Sequence, residues 1–436
     1  MTEQLKLKLN DSKATRWGAL VIVAFTMMAA YYVNDVVAPL KTMLETDLAW
    51  SSTDFGFFTG GYSFLNVFFL MLIWGGLILD RFGIRFTGKL ATILMVGGTA
   101  LEYYAMTGLA GADATLFGIN EIFGYKTGVF VAFAGYSIFG VGAEVAGITV
   151  SKIIAKWFKG KELATAMGVQ VALARIGSQA GYAVAIPLAR AFGISTPVLL
   201  GLVLLLGGMI AFFIFAVMDK KLDKQMEAAA IAAGTEDEEE KFSFKDVKNI
   251  LVNPGFWLIA LLCVLFYSCV FPFQKFASEL MIIKYGINEN VAGTFAGLPA
   301  LGALILTPVF GGFIDKRGKS ASIMLLGSAM LICVHFIYAI PDINYWLVAI
   351  VLMIILGIAF SLVPSAMWPA VAKIFPVSQL GTAYALIFFI QNIGLWGIPT
   401  LIGWVLDAYC ISGKKPDGTN MYDYTCLLYT SPSPRD

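Results

Sequence analysis

GLILDRFGIR, residues 76–85, lies between two long apolar runs, and a degenerate copy, GGFIDKRG, recurs at residues 311–318 in the same setting. Each is a short charged turn bounded by glycine and flanked by stretches almost free of charge. Such a turn joins two helices that leave and re-enter hydrocarbon, because a lipid-embedded backbone must satisfy its hydrogen bonds within a helix. The composition agrees: of 436 residues, 58% are hydrophobic and 14% charged, where about 25% charged is usual in soluble chains. That balance excludes a disordered chain, a nucleic-acid binder and a disulfide-stapled secreted module. It makes the chain a polytopic membrane protein. The five cysteines have no CxxC or metal-ligand spacing, so no metal and no cofactor is expected.

Runs of about 20 apolar residues cross about 30 Å of hydrocarbon. They are expected at 17–39, 54–79, 88–110, 128–154, 163–189, 194–218, 255–283, 291–314, 320–340, 345–371 and 381–407, eleven spans in all. With the N-terminus inside, the inner segments hold 21 of the 30 Lys and Arg and the outer loops only four, which sets the N-terminus on the cytoplasmic side. The expected organisation is a cytoplasmic tail at 1–16, a six-helix bundle at 17–218, a cytoplasmic linker at 219–254 with the acidic run Glu236 to Glu240, a second bundle at 255–407 with five spans, and an outer loop with a tail at 408–436. The closing CLLYTSPSPRD suits neither loop nor helix and reads as a translated cloning scar. A twelfth helix is therefore expected to have been lost.

The two bundles share a grammar. GVGAEVAGITVSKIIAKWFKGKELATA from Gly140 and GIAFSLVPSAMWPAVAKIFPVSQLGTA from Gly357 match at a constant offset, pairing Phe158 with Phe375, Leu163 with Leu380 and Gly177 with Gly394. Gly76-x-x-x-Asp80-Arg81-x-Gly83-x-Arg85 and its twin Gly311-x-x-x-Asp315-Lys316-x-Gly318 sit at mirrored inner loops. With a long central loop, this pattern resembles a major facilitator superfamily transporter. The resemblance implies an all-α fold of two pseudo-symmetric six-helix bundles that rock about a midplane site. It also gives Asp80, Arg81, Arg85 and Asp315 a gating role at the inner face, with the helix starting near Leu380–Gly381 as the partner of Asp80. Tyr31-Tyr32-x-Asn34-Asp35, Trp157-Phe158-Lys159-Gly160-Lys161-Glu162-Leu163, Ala174-Arg175-Ile176-Gly177-Ser178 and Gln391-Asn392-Ile393-Gly394 narrow the likeness. They resemble the branch of lysosomal dipeptide uniporters and their bacterial relatives, which implies small zwitterionic peptides as substrate. The N-terminal tail has no acidic dileucine sorting signal, so a bacterial inner membrane is expected rather than a lysosomal one.

An ionisable side chain at mid-membrane costs at least about 2.5–3.5 kcal/mol, so it faces a polar cavity or a partner. Glu144 and Arg175 lie on neighbouring antiparallel spans, about 15 and 16 residues from the centre of the loop that joins them. At 1.5 Å per residue both sit about 22–24 Å from the inner turn, hence at one depth. One reading is a receptor for a zwitterion, with Arg175 gripping a carboxylate through two parallel N–H donors and Glu144 taking an ammonium. The other is a structural ion pair. Lys275 and Glu279, four apart on one helix face, read as a self-neutralising gate, as snorkelling groups, or with Lys275 as a second carboxylate anchor. Asp35 reads as a gate, a proton site or an outer cap, and Glu102 as a proton site or a partner of Arg175. Tyr31, Gln170, Gln274, Trp368, Gln391 and Asn392 are the expected cavity lining, each also explicable as helix packing.

The expected function is transmembrane transport of small zwitterionic peptides, uniport or proton-coupled through Glu102, Glu144 or Asp35. An organic-anion or sugar transporter of the same fold is the first alternative, and a non-transporting membrane sensor is the second. No Walker motif and no nucleophile–base or metal constellation is present, so neither ATP-driven transport nor an enzyme is expected. The expected partners are the small-molecule substrate and the lipid bilayer, with no nucleic acid, and the chain is expected to be a monomer.

Overall fold

The computed structural model describes residues 8–111, 114–159, 161–233, 244–375, 377–415 and 418–428. Its first half runs α1 (Lys13–Val36), α2 (Lys41–Asp47), α3 (Ser52–Phe68), α4 (Met71–Thr107), α5 (Thr127–Trp157), α6 (Leu163–Phe192) and α7 (Thr196–Ala233). The second half runs α8 (Phe244–Val252), α9 (Pro254–Tyr285), α10 (Glu289–Ala296), α11 (Leu298–Arg317), α12 (Ser320–Ala339), α13 (Trp346–Ile374), α14 (Val377–Tyr409) and α15 (Tyr424–Leu428). Two small outer hairpins, β1 (Glu121–Ile122) with β2 (Tyr125–Lys126) and β3 (Ile411–Lys414) with β4 (Asn420–Tyr422), fall in stretches expected only as loops.

Helix starts follow local chemistry. Ser51 and Asp54 form a reciprocal capping box at α3, with hydrogen bonds of 3.0 and 2.9 Å, and Asn253 caps α9 ahead of Pro254 at the first helical position. α9 ends on Gly286 at φ 61°, a left-handed stop that glycine adopts without a Cβ penalty.

The eleven expected spans are not matched by count. Among the described residues eight helices are singly long and apolar enough to cross a membrane, and α3 with α4, bent by 58° at a short break, makes nine. α6 is not among them; Gln170, Arg175, Ser178 and Gln179 dilute its apolar run. The expected straight span at 54–79 is broken at Leu70, a left-handed residue at φ 53° from which the helical ladder restarts. Helix α4 then continues through the charged turn, where Gly83 at φ 74°, ψ 175° redirects the chain. That region of backbone space is essentially glycine-only. Gly83→Ala is expected to cost about 1–3 kcal/mol of stability, read as a lowered thermal unfolding midpoint in detergent.

The halves meet along two seams of main chain. In the first, α3 lies on α14 so closely that a Cβ at Gly56 or Gly60 would strike the carbonyls of Pro399 and Trp396. In the second, α10 lies on α6, where a Cβ at Gly293 would strike the Tyr182 carbonyl. Small residues permit such backbone approach.

Candidate functional site between the two halves

Four helices of the first half bring their polar side chains to the middle of the molecule. Gly140 seats the Tyr62 backbone against α5, and one turn further along α5 the Tyr62 hydroxyl donates to Glu144 Oε1 at 3.0 Å. Gly177 seats α6 against the Met28 carbonyl of α1, which brings Arg175 beside Tyr31. The Arg175 guanidinium lies 5.5 Å from the centre of the Tyr31 ring and 5.0 Å from that of Phe360, on α13 of the opposite half. Arg175 thus lies against Tyr31, while Glu144 is held by Tyr62. Both are half-buried. Among the described residues neither forms an ion pair.

The alternative of a closed Glu144–Arg175 ion pair is not what the geometry shows among the described residues. Two aromatic faces hold a cation without neutralising it, each interaction being worth about 2 kcal/mol when desolvated. The five donors of the guanidinium stay available for a planar anion. Trp368 Nε1 donates to the Tyr267 hydroxyl at 3.2 Å, and Tyr267 lies in the field of Arg175 and Tyr31, so the second half closes the site with aromatic surface. Gln170 and Trp368 are half-buried. Gln391 accepts from the Cys263 thiol at 3.3 Å and Asn392 Nδ2 donates to the Phe388 carbonyl at 2.9 Å, so both are buried in helix packing. Gln274 is also buried, and its carbonyl takes the Tyr182 hydroxyl at 3.2 Å.

The outer end departs from expectation. Lys275 and Glu279 do not neutralise each other; each reaches across to the first half. Lys275 Nζ binds Asp35 Oδ1 at 3.2 Å and the Asn34 carbonyl at 2.5 Å, beside the Tyr136 hydroxyl at 3.3 Å. Glu279 binds Lys41 Nζ at 2.5 Å and accepts from the Tyr424 hydroxyl. Lys41 also binds Glu45 at 2.5 Å, and Lys415 stands 3.8 Å from Glu45. The side chains of Lys41 and Glu279 are 1% and 0% exposed, so this is a dry lock, and Asp35 is part of the same closure. Arg190 with Glu289, and the Thr53 amide with Asp407 at 2.6 Å, add further ties between halves at this end. Glu102 does not pair with Arg175. It is fully buried, neither carboxylate oxygen has a hydrogen-bond partner, and its electrostatic neighbour is Lys275.

At the inner end the ion pairs among the described residues stay within the first half. Asp80 binds Lys152 at 3.0 Å, Arg85 binds Asp223 at 2.6 Å and Lys156 binds Asp219 at 2.7 Å. The side chains of Leu380 and Asp315 lie outside the described residues, as do the surroundings of Gly381 and the acidic run Glu236 to Glu240. Arg81 stacks on Phe82 at 5.6 Å. Asp80 is 69% exposed, and among the described residues every ion pair across the halves belongs to the outer end. The molecule is closed at the end that carries Lys41 and Glu279.

Several of these residues were not among those expected. Tyr62, Tyr267 and Phe360 are hidden in an aromatic content of 14%. Lys41 reads as an outer-loop charge, and its only local signal is Glu45 four residues on, within KTMLETD.

The model of the Major Facilitator Superfamily matches residues 20–397. The chain is 29% identical over 409 residues to the lysosomal dipeptide transporter MFSD1 of Homo sapiens, covering 91% of this chain and 81% of that protein. It is 33% identical over 287 residues to the Gallus gallus protein of the same name, covering 63% and 62%. Those relatives are named as lysosomal, in contrast to the bacterial inner membrane expected from the sequence. Among solved structures, the nucleoside transporter NupG superposes with a TM-score of 0.68 at 12% identity over 94% of each chain. A bacterial homologue of the human lysosomal transporter Spinster, in an inward-facing and unoccupied conformation, superposes with 0.64 at 17% identity over 91% of this chain and 84% of that one. At such identities the likeness is one of fold.

Proposed function

We propose that this chain, which belongs to the Major Facilitator Superfamily, carries small zwitterionic peptides across the membrane by alternating access, Arg175 taking the carboxylate end and Glu144 the ammonium end. The observation that carries the reading is the Arg175 guanidinium, held against the rings of Tyr31 and Phe360 and, among the described residues, with no carboxylate of its own. The naming of the relatives as dipeptide transporters supports the substrate class. Because Phe360 belongs to the second half, an occupied Arg175 bears on both bodies, which is what a rocking carrier requires of its ligand. The basic inner loops, 21 Lys and Arg against four outside, support an N-terminus on the cytoplasmic side.

The test is flux into phosphatidylcholine liposomes carrying the full chain. Labelled dipeptide is expected to exchange faster than in protein-free liposomes, whereas an N-acetylated dipeptide, lacking its ammonium, is rejected. Glu144→Gln is expected to depress dipeptide flux at least about tenfold, the loss of one charge-assisted contact of about 1.5–3 kcal/mol. Unchanged dipeptide flux in that variant, with dicarboxylates carried equally well, overturns the reading in favour of an organic-anion carrier. Tyr62→Phe leaves the Glu144 charge but releases its orientation. A KM raised about 3–10-fold, from about 1 kcal/mol of lost preorganisation, is expected at unchanged expression. A pH gradient imposed on the same liposomes separates uniport from proton coupling, with Asp35, Glu102 and Glu144 as the carboxylates to replace.

A further inference from the structure

The outer loop between α4 and α5 makes two reversals of the same kind. Leu116 bridges Ile119 around Phe117 and Gly118, and Ile122 pairs with Tyr125 around Phe123 and Gly124. All four turn residues have positive φ: 54° and 80° in the first turn, 52° and 80° in the second. A two-residue turn with both centres left-handed is relaxed with Asn or Asp first and Gly second. Here phenylalanine twice occupies the first centre, where a bulky side chain is strained. Neither ring recovers that strain within the fold, for Phe117 is 96% exposed and Phe123 88%.

An apolar side chain that is strained and bare in the isolated chain points to a cover outside it, and the surroundings say which. Phe123 lies 5.9 Å from Phe130 in the first turn of α5. From there rings continue through Phe133 at 6.0 Å and Phe64 at 5.1 Å to Phe68 at 4.9 Å, which is itself 52% exposed. On α3 this seam lies on the face opposite the central site, since Phe55, Phe58 and Tyr62 turn inward to Phe276, Tyr136 and Glu144. Apart from Phe68, whose ring also meets Trp396 of α14 at 4.8 Å, the seam is turned toward lipid, and Phe123 extends it outward. Depth agrees. The 31 residues of α5 measure about 46 Å at 1.5 Å per residue, against about 40–45 Å for a bilayer with its headgroups. The first turn of α5 thus stands in the outer headgroup layer, where aromatic rings are favoured. Tyr125 stacked on Phe57 at 3.9 Å, and Lys126 bound to the Ala49 carbonyl, fix the loop there.

We propose that Phe117 and Phe123 are a two-point anchor in the outer leaflet, binding the interfacial layer of zwitterionic phospholipid and fixing the height of α5, and with it Glu144, relative to the membrane. The choice of the outer leaflet rests on the topology proposed above, but the proposal stands apart from the substrate assignment. It is tested with the full chain in phosphatidylcholine nanodiscs. The five cysteines are replaced by serine, and a spin label is placed at 117, at 123 or at the exposed Glu121 between them. Labels at 117 and 123 are expected to collide several-fold more often with oxygen, which partitions into lipid, than with a water-soluble nickel chelate, and the label at 121 is expected to show the reverse. Nickel collisions in excess at both tips, or labels sheltered from both reagents as beneath a second protein, overturn the proposal. Phe117→Trp in the unmodified chain gives an independent reading. Its added fluorescence is expected to fall several-fold in bilayers brominated high on the acyl chain, and undiminished fluorescence also overturns the proposal.

Discussion

Replacing Arg175 by alanine is expected to lower saturable dipeptide uptake by about 100-fold or more. Two parallel charge-assisted hydrogen bonds, each about 1.5–3 kcal/mol, are lost together. No other cation is seen at that point, since Lys275 is occupied by Asp35 and the Asn34 carbonyl. Arg175→Lys separates charge from shape. It keeps the positive charge but loses the fork and most of the stacking on Tyr31 and Phe360, so about a tenth of the wild-type uptake is expected, from about 1.4 kcal/mol less binding. The measurement is initial-rate uptake into liposomes, with the thermal midpoint of each variant as the control for folding. Dipeptide should raise the midpoint of the wild type and leave that of the alanine variant unmoved. Full uptake in the alanine variant would remove Arg175 from the site.

The second large effect is one of stability. Lys41 is 1% exposed and is shared by Glu45 and Glu279, whose side chains are 5% and 0% exposed. Lys41→Met fits the volume but leaves two buried carboxylates without their shared cation, with Lys415 3.8 Å from Glu45 and the hydroxyls of Ser52 and Tyr424 still donating to Glu45 and Glu279. Breaking a buried pair from one side costs about 3–5 kcal/mol, and a large fall in the thermal midpoint is expected. Adding Glu279→Gln to Lys41→Met removes one stranded charge and keeps an acceptor for the Tyr424 hydroxyl, so the double variant should regain part of the loss. That recovery distinguishes charge from packing, because a packing defect would add to the second substitution instead of being relieved by it.

What could be read in advance, and what could not, divides along physical lines. The charged turn at 76–85 was legible because one glycine in a glycine-only conformation sits at its centre. That Glu144 and Arg175 lie on neighbouring antiparallel helices was legible because α5 and α6 are long and joined by a short basic loop. Lys275 and Glu279 misled because four-residue spacing is a local signal. Their partners, Asp35 and Lys41, come from α1 and α2, and only the packing of α9 on the first half brings the four together. The break at Leu70 falls in an unbroken apolar run, FFLMLIWGG, with no glycine or proline at the site. The aromatic cradle of Arg175 was invisible, since nothing distinguishes Phe360 from the other 33 phenylalanines.

The two seams described above, α3 on α14 and α10 on α6, have one more implication. At their glycines these seams set main chain against main chain, so shear there disturbs few side chains, among them Phe68 against Trp396 on the first seam and Gln179 against Thr294 on the second. Resistance to rocking is then concentrated at the rim, in Asp35–Lys275 and Lys41–Glu279. The tempo of the carrier is governed by how often those latches spring open, not by friction along its joints.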